Sequence, residues 1–189
     1  TLIETPFQHI EIELNFDLLN KIEEKTSGNK YLLFYGRIAL FKGVIDIADI
    51  LSLLLSKQTN LYIVIIGKDI GYKNDKSMNY VYDKAGDFRD RVIYYQEKPH
   101  EQLIPVIKGS HFVLLPSRIE NLPNACIEAM SLNKIVVATK GVSFEQLIEN
   151  GLNGFLCENA NSDDLLRVIE KVLDLSIERK KEIEENAKK

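Results

Sequence analysis

The apolar positions of this chain fall into short runs separated by segments with helical periodicity. Runs of strand length occur at residues 31–35, 61–66, 91–95, 112–115, 135–138 and 155–157. Between them, apolar residues recur every three or four positions, as in helices that bury one face. Strands without polar alternation are typical of parallel sheets that are covered on both sides. The pattern therefore predicts an α/β fold, a Rossmann-like open parallel sheet with helices on both faces.

The same pattern divides the chain into three segments. Residues 30–174 carry the strand–helix alternation and form the predicted domain. Residues 1–29 contain a strand pattern at 9–14 and a helix pattern at 16–25, and are interpreted as a linker into that domain. Residues 175–189 are mixed in charge with few apolar positions, which predicts a charged helix or tail.

Two local signals predict how particular helices begin or break. Pro105 lies inside the helical pattern of residues 100–108 and is expected to break that helix, because proline lacks the backbone donor. Ser162 is expected to cap the last helix of the domain, with Asp163 and Asp164 in a first turn that favours negative charge.

Residues 116–130 contain the strongest candidate chemistry. They follow the apolar run 112–115 and read as a loop with Glu120, then a helix that has Pro123 in its first turn and Glu128 inside it. Helical side chains point toward the N-terminus of their helix, where free amides and the helix dipole favour an anion. Carboxylates beside an anion site suit a ligand with both phosphates and hydroxyls, such as a nucleotide sugar.

Glu120 and Glu128, within Pro-Ser-x-x-Glu and Glu-Ala-Met, resemble the paired glutamates of the retaining GT-B glycosyltransferases, in particular glycosyltransferase family 4. The resemblance covers about residues 30 to 174. It implies the C-terminal, donor-binding domain of an enzyme that transfers a hexose-type unit from a nucleoside diphosphate sugar. By this resemblance Glu120 lies near the donor sugar as the candidate catalytic residue, and Glu128 binds the ribose hydroxyls.

A second part of the resemblance lies after the first strand. Gly36-Arg37 and Lys42-Gly43 are similar to the diphosphate clamp of that family. Arginine offers a planar fork to phosphate oxygens, and lysine offers a mobile point charge. No Asp-x-Asp occurs in the chain, so we expect metal-independent transfer without a cofactor. The alternative is a pair of ordinary surface cations beside a helix.

Two further loops complete the predicted site. Residues Gln96, Glu97 and Lys98 correspond to the loop whose backbone holds the nucleotide base in the family. The candidate donor-sugar or phosphate loop consists of Asn121, Leu122, Pro123 and Gly141. The family usually has two adjacent glycines at the last position, and here Val142 replaces the second, which puts a close contact at residue 142 in doubt.

Composition excludes several other classes. The formal net charge of −4 gives no basic footprint, so nucleic acid is not expected as a partner. No apolar run approaches the roughly 18 residues of a membrane span, and no signal peptide is visible. There is no GxGxxG after a strand and no GxxxxGK[ST], which disfavours dinucleotide enzymes and P-loop NTPases. Cys126 and Cys157 are expected to be reduced and buried.

The resemblance also implies partners that this chain does not contain. The acceptor, a glycan or glycolipid of polysaccharide or glycolipid biosynthesis, is expected to bind an N-terminal domain outside this chain. We expect a cytoplasmic location, compatible with peripheral contact at the inner face of the membrane in the full enzyme. The alternatives are a nucleotide-sugar-binding module without catalysis, a GT-B epimerase or phosphorylase, and a structural or partner-binding flavodoxin-like domain.

Overall fold

The computed structural model describes residues 13–187. Its strands are β1 (Lys30–Tyr35), β2 (Leu61–Ile66), β3 (Val92–Tyr95), β4 (Phe112–Leu115), β5 (Val136–Thr139) and β6 (Phe155–Cys157). Its α-helices are α1 (Asp17–Thr26), α2 (Val44–Lys57), α3 (Ser77–Ala85), α4 (His100–Gly109), α5 (Asn124–Ser131), α6 (Ser162–Leu173) and α7 (Ile177–Ala187). Short 3-10 turns cover Leu40–Lys42, Gly86–Arg91 and Ser143–Gln146. The predicted alternation of strands and helices is confirmed.

The strands form one parallel sheet with the order β3-β2-β1-β4-β5-β6. The first three strands progress toward one edge, and β4 then returns to the middle to pair with β1, with Leu32 opposite Phe112. The chain order therefore reverses between β1 and β4. In open α/β sheets such a switch point leaves a crevice at the carboxyl ends of the two strands, where ligands bind.

The hydrophobic core lies on both faces of the sheet, as the apolar strands predict. Successive strand residues point to opposite sides, so Leu32 and Phe34 pack with α2, α3 and α6, whereas Leu33 and Tyr35 pack with α1, α4 and α5. Helices cover both faces of the central strands, and only the strand ends are left to carry polar loops. The fold predicted from the sequence is confirmed.

The prediction that Pro105 breaks its helix is wrong. Helix α4 continues from His100 to Gly109 with Pro105 buried inside it. The hydrogen bond that proline cannot donate would end on the carbonyl of Glu101. That carbonyl instead accepts from the backbone amide of Asn15, at 2.9 Å. A distant segment of the chain therefore satisfies the group that the proline leaves without its helical partner.

The predicted cap of the last domain helix is displaced by one residue. Asn161, not Ser162, is the N-cap of α6, and its side chain accepts from the amide of Asp164. Ser162 is the first helical residue, and its hydroxyl is directed toward Asp46 at 3.4 Å. Asparagine and serine are comparable caps, so the choice depends on the additional partner of Ser162.

The described segments on either side of residues 30–174 extend the domain, and Leu18 and Ile22 of α1 are buried in its core. Of the strand predicted at residues 9–14, residues 9–12 lie outside the described part, and residues 13–16 form no strand. Helix α7 packs onto the domain, since Ile183 is fully buried and the Arg179 guanidinium donates to the carbonyl of Gly151 at 2.6 Å.

Candidate active site

A cavity of about 220 Å³ lies between the carboxyl ends of β1 and β4, at the switch point of the sheet. One side is formed by residues that follow β1, including Gly36 and Arg37. The other side is formed by the loop after β4 and by the first turn of α5. Five residues that the sequence assigns to the site line it together: Arg37, Lys42, Glu120, Leu122 and Pro123.

Lys42 and Glu120 form an ion pair inside this cavity. Nζ of Lys42 lies 2.5 Å from Oε2 of Glu120, and the two side chains are 21% and 12% exposed. Ser117 supports the same carboxylate oxygen, with its hydroxyl at 3.4 Å. The sequence assigned these two charges to different parts of the ligand, and the structure places them in direct contact.

Arg37 provides the second positive charge at the mouth of the cavity. Its side chain is exposed, and its guanidinium lies 5.6 Å from the centre of the Phe41 ring. It forms no salt bridge with any residue between 13 and 187. The guanidinium therefore remains free to bind an anion, and its aromatic contact favours one orientation of a mobile side chain.

The N-terminus of α5 lies at the same cavity. Asn124, Ala125 and Cys126 all line it, and no side chain caps this helix. The amides of Asn124 and Cys126 donate to the carbonyls of Leu122 and Pro123, both at 2.9 Å, so this helix end attracts an anion mainly through the helix dipole. Cys126 adds no nucleophile, because burial raises the pKa of its thiol to about 12.

Close backbone packing fixes the position of the glutamate loop. Gly43 adopts φ of +77°, and a Cβ at this residue would lie 1.8 Å from the carbonyl oxygen of Pro116. The carbonyl of Phe41 accepts from the amides of Arg118, at 2.9 Å, and Ile119, at 3.3 Å. The turn that carries Lys42 and the loop that carries Glu120 are thus joined through backbone contacts, and only glycine fits at residue 43.

An ion pair between a half-buried arginine and a buried aspartate, which sequence reasoning missed, ties the same loop to α2. Arg118 donates from Nε to Oδ2 of Asp46 at 2.9 Å and from Nη2 to Oδ1 at 2.7 Å. Asp46 is only 3% exposed and lies on the apolar face of α2. An aspartate among the apolar positions of a helix was the available signal, because a buried charge requires a partner.

Glu128 lies beside the cavity rather than among the residues that line it. Its Oε1 is 2.8 Å from Nδ1 of His100, the first residue of α4. The hydroxyl of Tyr35, at the end of β1, donates to the carbonyl of Ala125 at 2.6 Å. Burial, and secondarily the charge of Glu128, raises the pKa of Tyr35. Its hydroxyl therefore stays protonated and ties α5 to the sheet.

Asn121 and Gly141 line an adjoining open depression on the other side of Glu120. Ser143 lies between the two loops, and its hydroxyl donates to the carbonyl of Glu120 at 2.9 Å. Gly141 has φ of +75°, and its amide donates to Oε2 of Glu145 at 3.0 Å. The Gly141 amide, which the sequence analysis assigned to a ligand-binding loop, therefore already has Glu145 as its acceptor.

The predicted base-binding residues lie at a different position along the same edge. Gln96 and Glu97 line a cavity of about 380 Å³ beyond the ends of β2 and β3, together with Asp69. Burial alone would raise the pKa of Asp69, but hydrogen bonds from three backbone amides lower it overall. Lys98 lines neither this cavity nor the one at the switch point. The structure thus separates these side chains from Arg37 and Lys42.

Within residues 13–187, no group of three or more histidine, cysteine, aspartate or glutamate side chains could hold a metal ion. His111, the other described histidine, lies at the opposite end of the sheet, where β4 begins. Burial, with the charges of Lys180, Lys30 and Lys134, lowers the pKa of His111 to about 4. It is therefore neutral near pH 7, and it is distant from the switch-point cavity.

The sequence matches the family of glycosyl transferases group 1 over residues 15–189. The chain belongs to this family. A lipopolysaccharide 1,2-N-acetylglucosaminetransferase of Salmonella typhimurium is 25% identical over 160 residues, covering 82% of this chain and 41% of that enzyme. The chain spans about 40% of the length of the curated relatives it matches. Membership of glycosyltransferase family 4 stays a prediction.

Solved structures show the same fold. Anabaena HepE in complex with UDP-glucose has a TM-score of 0.77 at 20% identity, covering 94% of this chain and 48% of HepE. The C-terminal domain of LpcC, a glycosyl transferase group 1 family protein from Francisella tularensis, also has a TM-score of 0.77, at 18% identity and with coverage of 94% and 92%. The fold is thus that of a Rossmann-like GT-B domain. In the described part of the chain, no helix is long and apolar enough to cross a membrane.

Proposed function

We propose that this chain binds a nucleoside diphosphate sugar and is the donor-binding part of a retaining glycosyltransferase. The observation that carries the proposal is the convergence of Arg37, Lys42 and the uncapped N-terminus of α5 on one cavity that also contains Glu120. Two cations and the positive end of a helix dipole suit a diphosphate. The bound UDP-glucose of HepE, which shares this fold, supports a donor of the same class.

The chemistry follows from the charges around the cavity. Transfer breaks the bond between the anomeric carbon and the diphosphate, so negative charge grows on the leaving oxygen. Arg37, Lys42 and the dipole at the N-terminus of α5 would stabilise that charge without a metal ion. Glu120 would accept hydrogen bonds from hydroxyls of the transferred sugar, and Glu128 from the ribose. We propose retention of the anomeric configuration on the resemblance to the family.

The acceptor and the setting form the rest of the proposal. We propose that a further domain of the full enzyme binds a glycan or glycolipid acceptor, in the cytoplasm. The name of the Salmonella typhimurium relative supports an acceptor of this kind. The extent of the match supports a further domain, since this chain corresponds to less than half of each relative.

Isothermal titration with UDP, GDP and ADP, and with the matching nucleosides, tests the proposal. We expect at least one diphosphate to bind, with a dissociation constant on the order of micromolar to millimolar. Its nucleoside should bind more weakly, because the cavity charges act on phosphate. Excess EDTA should leave the affinity unchanged. A plain structural domain would bind none of these ligands, and a strict metal requirement would contradict the proposed metal-free site.

A further inference from the structure

The contact between His100 and Glu128 links two parts of the proposed site. His100 directly follows the loop of residues 96–99, which is predicted to hold the base. Glu128 lies in the second turn of α5 and is predicted to bind the ribose. Their side chains meet at 2.8 Å, across 28 positions of the sequence. The carboxylate for the ribose is therefore joined to the end of the base loop.

The chemistry of the two groups defines the direction of this hydrogen bond. An ionised carboxylate only accepts, so Nδ1 of His100 must carry the proton and donate it to Oε1 of Glu128. One carboxylate oxygen is then engaged, and Oε2 keeps its lone pairs for other donors. A glutamate side chain has three rotatable bonds, and this hydrogen bond selects among its rotamers before any ligand binds.

Both backbones around the contact are rigidly held. Helix α4 buries Leu103, Val106 and Ile107 against the sheet. Helix α5 is tied to β1 through the hydroxyl of Tyr35, which donates to the carbonyl of Ala125. The helices therefore do not depend on His100 for their placement. His100 acts on the orientation of the Glu128 carboxylate, next to the Tyr35 hydroxyl, whose pKa is also raised by hydrogen bonding to Glu128. The Glu128 side chain is 22% exposed, and that of His100 is 69% exposed.

We propose that His100 is a positioning residue that orients Glu128 for the ribose hydroxyls and so gives the site its preference for ribonucleotides. The inference rests on the proposed function, because it requires a nucleotide at this site. A carboxylate that is already oriented loses less side-chain entropy when it accepts from the ribose. His100 acts through Glu128, so it should affect only ligands that carry ribose hydroxyls.

The test compares a ribonucleoside diphosphate with its 2′,3′-dideoxy analogue by calorimetry. In His100→Ala, affinity for the ribonucleotide should fall about three- to ten-fold, and affinity for the dideoxy analogue should not change. His100→Asn should restore most of the ribonucleotide affinity, because the amide nitrogen occupies the place of Nδ1. His100→Gln should restore less, since its amide corresponds to the position of Nε2. His111→Asn is the matched control and should alter neither affinity.

Each outcome separates this inference from the proposed function. If the unmodified chain binds no nucleotide, both are overturned. If it binds the ribonucleotide but His100→Ala lowers the affinity for both ligands equally, His100 is a general binding or structural residue and the inference fails alone. It also fails if neither affinity changes. Unfolding midpoints of all variants would identify a folding defect, and in that case the comparison of His100→Asn with His100→Gln decides the question.

Discussion

Under the proposed function Lys42 has to serve two anions, because the amine assigned to the diphosphate already contacts Glu120. Lys42→Ala should weaken binding of a nucleoside diphosphate about ten-fold or more, since a hydrogen bond to a charged group contributes roughly 1.5–3 kcal/mol. Binding of the bare nucleoside should hardly change. Titration of both ligands measures the difference.

Lys57→Ala is the matched control for this change. Lys57 is the last residue of α2, the helix that follows the turn of Lys42, and its amine pairs with Glu170 at 2.7 Å on an exposed surface. Its removal should leave both affinities unaltered. If Lys42→Ala weakens the nucleoside and the diphosphate equally, the lysine does not act on phosphate.

Glu120→Gln should strengthen binding of the bare diphosphate. The sequence alone assigns Glu120 to the transferred sugar. It therefore predicts that replacing Glu120 barely changes the affinity for the bare diphosphate. The ion pair changes that expectation, because phosphate must compete with the carboxylate for Lys42. Removing the negative charge should release about 1 kcal/mol, or about five-fold in affinity. In the full enzyme, turnover should fall, because the hydroxyls of the transferred sugar lose a charged hydrogen-bond acceptor. A weaker diphosphate affinity in Glu120→Gln, measured by calorimetry, would rule out this competition.

At the scale of elements, the Asp46–Arg118 pair joins helix α2 to the glutamate loop. Asp46→Asn leaves the Arg118 guanidinium without its anionic partner, and this should cost about 2 kcal/mol, because only the aspartate is fully buried and solvent screens the arginine. Urea unfolding should show this loss. Asp49→Asn, three positions along the same helix and exposed, should cost less than about 1 kcal/mol, because exposed pairs contribute little. Equal losses would mean that the Asp46–Arg118 pair does not stabilise the loop.

The positions of the elements could be predicted from periodicity, but their ends depended on tertiary partners. Helix α4 continues through Pro105 because the carbonyl of Glu101 accepts a hydrogen bond from the amide of Asn15. These two residues are 86 positions apart in the sequence. No local signal contains such a contact. The cap of α6 likewise moved to Asn161 because Ser162 is directed toward Asp46.

The candidate site was predictable in its residues but not in its contacts. Strand ends and motifs identify Arg37, Lys42 and Glu120, and the structure places all three at one cavity. The alternation of strands and helices along the sequence does not determine which strands are neighbours in the sheet. The contacts between Lys42 and Glu120, 78 positions apart, and between Asp46 and Arg118, 72 apart, follow only once β4 lies beside β1.

At the scale of the whole molecule, the sheet places Arg37, Lys42 and Glu120 at the carboxyl ends of its strands. This edge of the sheet is open toward solvent. The switch-point cavity holds about 220 Å³, which suits a diphosphate better than a complete sugar nucleotide with an acceptor. The depression beyond Glu120, lined by Asn121 and Gly141, is shallow and open. We therefore expect that, in the proposed enzyme, a second surface closes over the sugar so that transfer excludes water.

This chain by itself should bind a nucleoside diphosphate and transfer no sugar. Transfer requires the acceptor hydroxyl to be held within reach of the anomeric carbon, and that positioning contributes several kcal/mol to catalysis. The described residues supply charges for the diphosphate, whereas the match to relatives covers about 40% of their length. The test incubates the chain with a radiolabelled sugar nucleotide and a panel of glycan and glycolipid acceptors, next to a calorimetric titration of the same preparation. Binding without labelled product is the expected result. Efficient labelling of an acceptor by this chain would show that the donor edge alone assembles a complete active site.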